Sequence, residues 1–216
     1  MRNIRKKIIL LFVFILFIVF FFGLFLYSQD ILFDLILIFE KFIEQHPIFA
    51  LIVFVSISAI SMLLGMISSI PIVPLAVTTW GTTITMLLLL FGWLAGGSLS
   101  YLIGRYAGYP FVGMIVGRQK IEKWILKLES RMTFLLLLLF RLATPSETGY
   151  LFGIFRYNFW KYLLITFLSE LPITFLIVYT SDAFVQNNWR LFTILFSSGI
   201  ILILLVYYIF TRRFNT

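Results

Sequence analysis

From Ile8 to Tyr27 the chain runs twenty residues without a charged side chain. At about 1.5 Å per residue, a helix of that length spans roughly 30 Å, the thickness of one hydrocarbon core. Arg2, Arg5, Lys6 and Lys7 stand directly before it. A cleaved secretory signal has a shorter apolar core and a small-residue cleavage site, and the run shows neither. It predicts an uncleaved first transmembrane helix with a cytoplasmic N-terminus.

Composition decides whether that helix is a lone anchor. The 216 residues are 62% hydrophobic and 12% charged, against about half and a quarter in ordinary globular chains. A soluble fold of this size leaves too much surface wet to hide the excess. Several spans must share the bilayer. A membrane β-barrel needs segments of about ten residues that alternate apolar and polar. Ile8–Phe22 and Leu87–Phe91 do not alternate, so the fold class expected is all-α and polytopic. The chain has no cysteine, which removes disulfides, thiolate metal ligands and thiol nucleophiles. Its formal charge of +8 lies at the N-terminus, in one central stretch and at the C-terminus. All three flank apolar runs, as cytoplasmic loops do. Nucleic acid is not an expected partner.

Residues 28–46 carry Asp30, Asp34, Glu40 and Glu44 against a single Lys41. Helical spacing of the apolar positions between them predicts an amphipathic helix at the outer interface. His46, the only histidine, reads as a cap or turn residue before Pro47. An apolar stretch to Leu64 then meets Gly65, Ser68, Ser69, Pro71 and Pro74, and ends near Trp80-Gly81. Prolines beside paired serines are poor material for an unbroken helix. The next helix, from Thr82 to about Gly108, carries Gly92, Ala95, Gly96, Gly97 and Ser100, small residues that let another helix approach closely.

Residues 109–132 hold Arg118, Lys120, Lys123, Lys127 and Arg131. Ile121, Trp124, Ile125 and Leu128 fall between them at helical spacing, which predicts a basic amphipathic helix at the inner surface. Trp124 is its headgroup anchor, and Arg118 and Lys120 suit anionic lipid. A second apolar stretch, Thr133–Phe140, is interrupted by Arg141, Pro145, Ser146, Glu147, Thr148 and Gly149. A long helix from Arg156 to about Phe184 carries Glu170 and Pro172, and Leu191–Phe210 is the last span before Arg212 and Arg213.

Loop charge fixes the parity of the crossings. With both termini and residues 109–132 inside, residues 47–81 must begin and end outside. Residues 133–155 must begin and end inside. Each broken stretch is then a re-entrant hairpin, and the two enter from opposite faces. Hairpin plus helix, repeated in inverted orientation, is a common transporter plan with its site near the midplane. The expected organisation is residues 1–46 as first helix and interfacial helix, 47–185 as the hairpin core, and 186–216 as last span and basic tail.

The candidate functional residues follow from cost. A charge inside an apolar segment is expensive and faces a cavity or a partner. In the same break, Arg141 either grips a lipid phosphate, with Glu147 as proton acceptor or counter-charge, or forms a structural ion pair that fixes the hairpin, or snorkels to the interface. Glu170 is either a protonatable carboxyl in the crevice or a neutral acid bonded across a helix interface. Pro71, Pro74 and Pro145 shape the breaks, and Ser68 and Ser69 offer hydroxyls there. Arg105, near the inner end of its helix, reads as an interfacial anchor. No zinc-protease, phosphate-loop, serine-elbow or cysteine–histidine pattern is present. No enzymatic activity, metal or cofactor is expected.

Two stretches carry a family resemblance. Phe140-Arg141, Pro145, Gly153, Tyr157-Asn158-Phe159-Trp160-Lys161-Tyr162 and Glu170-Leu171-Pro172 form one. Pro71, Pro74, Trp80-Gly81, Gly96-Gly97, Tyr101, Gly104-Arg105-Tyr106 and Gly108 form the other. Over roughly residues 60–185 this resembles the VTT domain of the DedA superfamily, the SNARE-associated Golgi protein type. The resemblance implies two opposed re-entrant hairpins and movement of phospholipid or polyprenyl phosphate between leaflets. It matches Arg141 to the family's hairpin arginine and Pro145 to a hairpin proline. The family's acidic residue in the first hairpin is missing here, and Glu147 or Thr148 stands where a second arginine is usual. Proton coupling and undecaprenyl-phosphate specificity are therefore not carried over.

The expected function is a plasma-membrane, multi-pass lipid translocator, scramblase-like or flippase-like. Its partners are membrane lipids, with anionic phospholipid or polyprenyl phosphate as candidates and self-association left open. The competing classes are a proton- or ion-coupled solute transporter and a non-transporting assembly factor.

Overall fold

The computed structural model describes residues 45–65, 68–113, 134–144 and 148–214, with the single positions 117, 119 and 122. The expected first span and outer interfacial helix lie outside the described residues. So do Pro145, Glu147, Arg118, Lys120 and Trp124. Residues 1–46 and 47–216 form two compact units, and only the second is described below.

Every element described is helical, with no strand among the described residues. In order they are α1 (Pro47–Leu64), a 3-10 turn (Ile70–Ile72), α2 (Val73–Val112), α3 (Phe134–Ala143), α4 (Gly149–Ile154), α5 (Phe159–Val185) and α6 (Trp189–Phe214). Among the described residues, four stretches are long and apolar enough to cross a membrane: Pro47–Leu64, Ile70–Pro110, Phe159–Val185 and Trp189–Val206. The protein is an all-α, polytopic membrane protein.

α1 stops where Gly65 takes φ +67° and its N–H bonds back to the Ser61 carbonyl at 3.0 Å. Glycine carries that left-handed ending without a Cβ penalty. The chain then doubles back. The Ser61 and Ser69 hydroxyls are hydrogen-bonded at 3.2 Å, and the Phe54 and Trp80 rings pack edge-on at 5.6 Å.

Here the sequence expectation needs narrowing. A broken, folded-back segment is expected throughout Gly65–Gly81, yet Val73–Trp80 forms about two regular turns of α2. Pro71 sits within the 3-10 turn and Pro74 within the first turn of α2. A proline there removes an N–H that would have no helical partner anyway. The break that divides α2 is Gly81, at φ 76° and ψ 168°, and a second one at Gly108 (φ 69°) closes its long portion.

That long portion runs parallel to α1. A Cβ placed on Gly92 would meet Ser58, one on Gly96 would lie on the Ala59 backbone, and Gly97 lies near the Met62 methyl. Contact positions rise together along both helices, so the chain must return between them. Of the small residues expected on this helix, Gly92 and Gly96 face α1, while Gly97 and Ser100 lie nearest α5 and α4.

α4 lies across α2, with Gly149 beside Ser100 and Gly153 against the backbone of Tyr101 and Arg105. After α4, Arg156 turns the chain at φ 51° and Asn158 caps α5, its side chain accepting from the Lys161 N–H at 3.1 Å. α5 then runs antiparallel to α2, Phe159 against Tyr101 and Thr166 against Gly97. Tyr101, Phe140, Tyr150, Tyr162 and Ile165 fill the core between these elements. α6 packs on α5 and α3 and leaves Ile194, Ile201, Ile203 and Leu204 exposed, as lipid contact requires.

Candidate functional site

Arg141 occupies the last turn of α3 and is buried to 3% exposure. Its Nη2 lies 3.1 Å from Glu170 Oε1 on α5 and 3.5 Å from the Met62 sulfur on α1. Its Nη1 donates to the Thr148 hydroxyl, 3.0 Å away at the N-cap of α4. Four separate segments therefore meet at one guanidinium. A buried charge persists only where a partner and hydrogen bonds offset its lost hydration, and Glu170 with Thr148 does so here.

The first chain break lies beside this pair. Ser69, buried at the turn, accepts from the Trp93 indole N–H at 3.2 Å and bonds to Ser61. Ser61 in turn donates to the Ser58 carbonyl at 2.8 Å. Ser68 is exposed, and its oxygen accepts from the Ile70 N–H at 3.3 Å. A pocket of about 190 Å³ opens between Gly65, Ser68, Ser69, Ile70, Ser61 and Met62, with Trp93 and Glu170 completing its wall. The Glu170 side chain, 11% exposed, belongs to the pocket wall, whereas that of Arg141, 1% exposed, does not line it.

Two tyrosines brace the junction. Tyr150 of α4 donates to the Leu63 carbonyl at 2.9 Å, satisfying one of the orphan acceptors at the end of α1. Tyr162 of α5 donates to the Gly97 carbonyl at 2.8 Å. Each break is thus tied to the other half of the protein.

The structure brings Arg141, Glu170, Ser68 and Ser69 to this place. Pro71 is exposed and Pro74 half-buried, and neither lines the pocket. Arg105 is exposed elsewhere on α2, its Nη1 donating to the Tyr101 hydroxyl at 3.0 Å. Sequence reasoning considered Arg141 with Glu147, which lies outside the described residues; among the described residues Glu170 stands at its guanidinium. It named Thr148 only as part of the break and passed over Met62, Ser61 and Trp93. Ser61 and Trp93 each lie one turn from a residue that had been singled out, Gly65 and Gly97. Among the described residues, no three histidines or acids cluster as metal ligands.

The model of the VTT domain matches residues 55–183, well over half of the chain. The chain belongs to the VTT-domain family, that of the DedA and SNARE-associated Golgi proteins. Neither the curated proteins nor the solved structures yield a match. The VTT domain opens within α1 and closes within α5, so it holds both chain breaks, the Arg141–Glu170 pair and the whole pocket wall. α6 lies beyond it.

Proposed function

We propose that this VTT-domain protein moves lipids between the leaflets of the plasma membrane. The two chain breaks act as the tips of re-entrant hairpins that enter from opposite faces in inverted orientation. No chemical step is involved, and both termini lie in the cytoplasm. A lipid crossing unaided must strip water from a charged headgroup, which costs many kcal/mol in hydrocarbon. A protein lowers that cost by offering polar groups at depth while the tails remain in the bilayer.

One observation carries this reading: a polar pocket and a buried ion pair lie where two helix breaks meet, inside an otherwise apolar helical body. Backbone that leaves the helix at membrane depth is tolerated where protein or a wet cavity satisfies it. The hydroxyls of Ser61 and Ser69, the Trp93 indole and the Tyr150 phenol supply such partners.

The test is leaflet exchange of acyl-labelled lipids in vesicles containing the purified protein. Exchange is expected to accelerate over protein-free vesicles, and Arg141→Ala to slow it. No acceleration across a panel of headgroups sinks the proposal. Uptake of a soluble solute driven by a pH gradient, lost in Glu170→Gln, would favour the coupled-transporter reading in its place.

A further inference from the structure

α4 and α5 end in the same way, but α4 does so with an unusual residue. After α4 the Arg156 N–H bonds to the Gly153 carbonyl and the Tyr157 N–H to the Phe152 carbonyl, both at 2.9 Å. After α5 the Asn187 N–H bonds to the Phe184 carbonyl at 3.0 Å and the Asn188 N–H to the Ala183 carbonyl at 2.8 Å. This paired pattern holds the residue after the cap in the left-handed region, where glycine or asparagine is the usual occupant. Asn187, at φ 54°, follows the rule. Arg156, at φ 51°, breaks it, and a left-handed backbone is costly for a residue with a long side chain.

No contact within the described residues offsets that cost. Arg156 is exposed, and its side chain makes no hydrogen bond or ion pair among them. The Phe152 and Gly153 carbonyls already accept from backbone N–H groups, and α4 is only six residues long, so its end gives a guanidinium little to do. Strain kept at an exposed charge points outward, to a ligand.

Arg105 borders the same turn. Its backbone lies against Gly153, and its Nη1 donates at 3.0 Å to the Tyr101 hydroxyl, which donates at 2.5 Å to the Tyr157 carbonyl. Lys161, in the first turn of α5, is exposed as well. Among the described residues, Glu170 pairs with Arg141, Glu122 accepts from the Tyr109 hydroxyl and Asp182 from the Gln186 amide. No carboxylate among them is paired with the cations of this corner. Tyr106 and Trp160, neighbours of Arg105 and Lys161 in the chain, are 80% and 73% exposed. Such rings sit at headgroup level.

We propose that this corner binds the phosphate of an anionic lipid that stays with the protein, with Arg156 and Arg105 as its donors. A guanidinium meets a phosphate through two parallel N–H bonds, which a cap glycine or asparagine cannot supply. By the sidedness proposed above, the lipid belongs to the cytoplasmic leaflet. The site shares no residue with the pocket, and it does not depend on translocation.

Thermal melts of the full chain in a neutral detergent, with phosphatidylglycerol or phosphatidylcholine added, test it. Arg156→Gly removes the strain and the donor together, so its two effects have opposite signs. In phosphatidylcholine it should melt about 2–4 °C above the native chain, through relief of the left-handed backbone. Phosphatidylglycerol should raise the native midpoint by about 5 °C over phosphatidylcholine, as a ligand in roughly hundredfold excess over its Kd would. Arg156→Gly should lose most of that increment, and so should Arg156→Asn, which copies the other cap. Arg190→Gln, which removes an exposed cation at the start of α6, should keep it.

Equal native midpoints in the two lipids overturn the proposal. So does an increment that survives Arg156→Gly, or one that Arg190→Gln loses equally, because bulk charge would then explain it. A midpoint below the native one for Arg156→Gly in phosphatidylcholine would mean that the arginine serves the fold itself, and overturns the proposal too. The same increment from soluble glycerol phosphate would assign the site to a free phosphate and overturn the lipid source.

Discussion

Arg141 Nη2 and Glu170 Oε1 lie 3.1 Å apart and join the last turn of α3 to the middle of α5. Both side chains lie largely out of water, so the pair behaves as a unit. Removing one member takes away the other's buried ion-pair partner, a loss that typically costs about 3–5 kcal/mol. Arg141→Leu and Glu170→Leu should each lower the thermal unfolding midpoint in detergent by a large margin. The double variant should regain most of that loss, because two apolar residues need no partner. Additive losses in the double variant would show that the two side chains do not act on each other.

The close approach of α1 and α2 rests on Gly96. A Cβ there would lie on the Ala59 backbone, which cannot swing aside as a side chain could. Gly96→Ala should therefore destabilise the protein by at least the usual overpacking cost of about 1–3 kcal/mol. Gly199 of α6 is the contrast, since its added Cβ meets only a Leu176 methyl at 3.9 Å. Gly199→Ala should be neutral or stabilising by up to about 1 kcal/mol, the helix-propensity gain. Thermal melts of both variants in one detergent check the pair. Equal effects would contradict the parallel packing of α1 and α2.

Ser69 ties the first turn to α2 through the Trp93 indole and to α1 through Ser61. Ser69→Ala leaves a buried N–H without an acceptor, at a cost of about 1–3 kcal/mol. With the other four of the five tryptophans replaced by phenylalanine, Trp93 emission should move to shorter wavelength in Ser69→Ala. Unchanged emission would mean that the indole bond is not formed in the membrane protein.

Much of this was legible in the sequence for a physical reason. Apolar runs, loop charge and glycine are local signals, and they gave the helices over 82–108 and 156–184 and the small face around Gly96. The Gly65 break was legible because a glycine followed by paired serines ends a helix by its own chemistry. The prolines misled in part. Pro74 reads as a breaker, but a proline in a first turn obeys the helix, and only knowledge of where α2 begins separates the two cases. The contact of Arg141 with Glu170 was not legible, because Glu170 comes within reach only once α5 has passed Gly97 and Tyr101. Met62 and Trp93 gave no signal either, because nothing in a methionine or a tryptophan marks it as a pocket wall before the fold is known.

The hairpin reading makes its sharpest commitment about sidedness. α1 and the long portion of α2 run parallel, so Pro47 and Thr82 begin on one side, while α5 begins beside Tyr101 at the other end of α2. The chain has no native cysteine, so single cysteines report without background. Ile48→Cys and Thr83→Cys, both at exposed positions, should react with an impermeant maleimide from the same face of the membrane. Tyr106→Cys and Trp160→Cys, also exposed, should react only from the opposite face. Ser68→Cys, at the turn, should react slowly from the Ile48 face if water reaches the pocket. Should Ile48 and Thr83 label from opposite faces, α1 and the Val73–Trp80 segment would together cross the bilayer, and a polar turn at mid-depth could not exist.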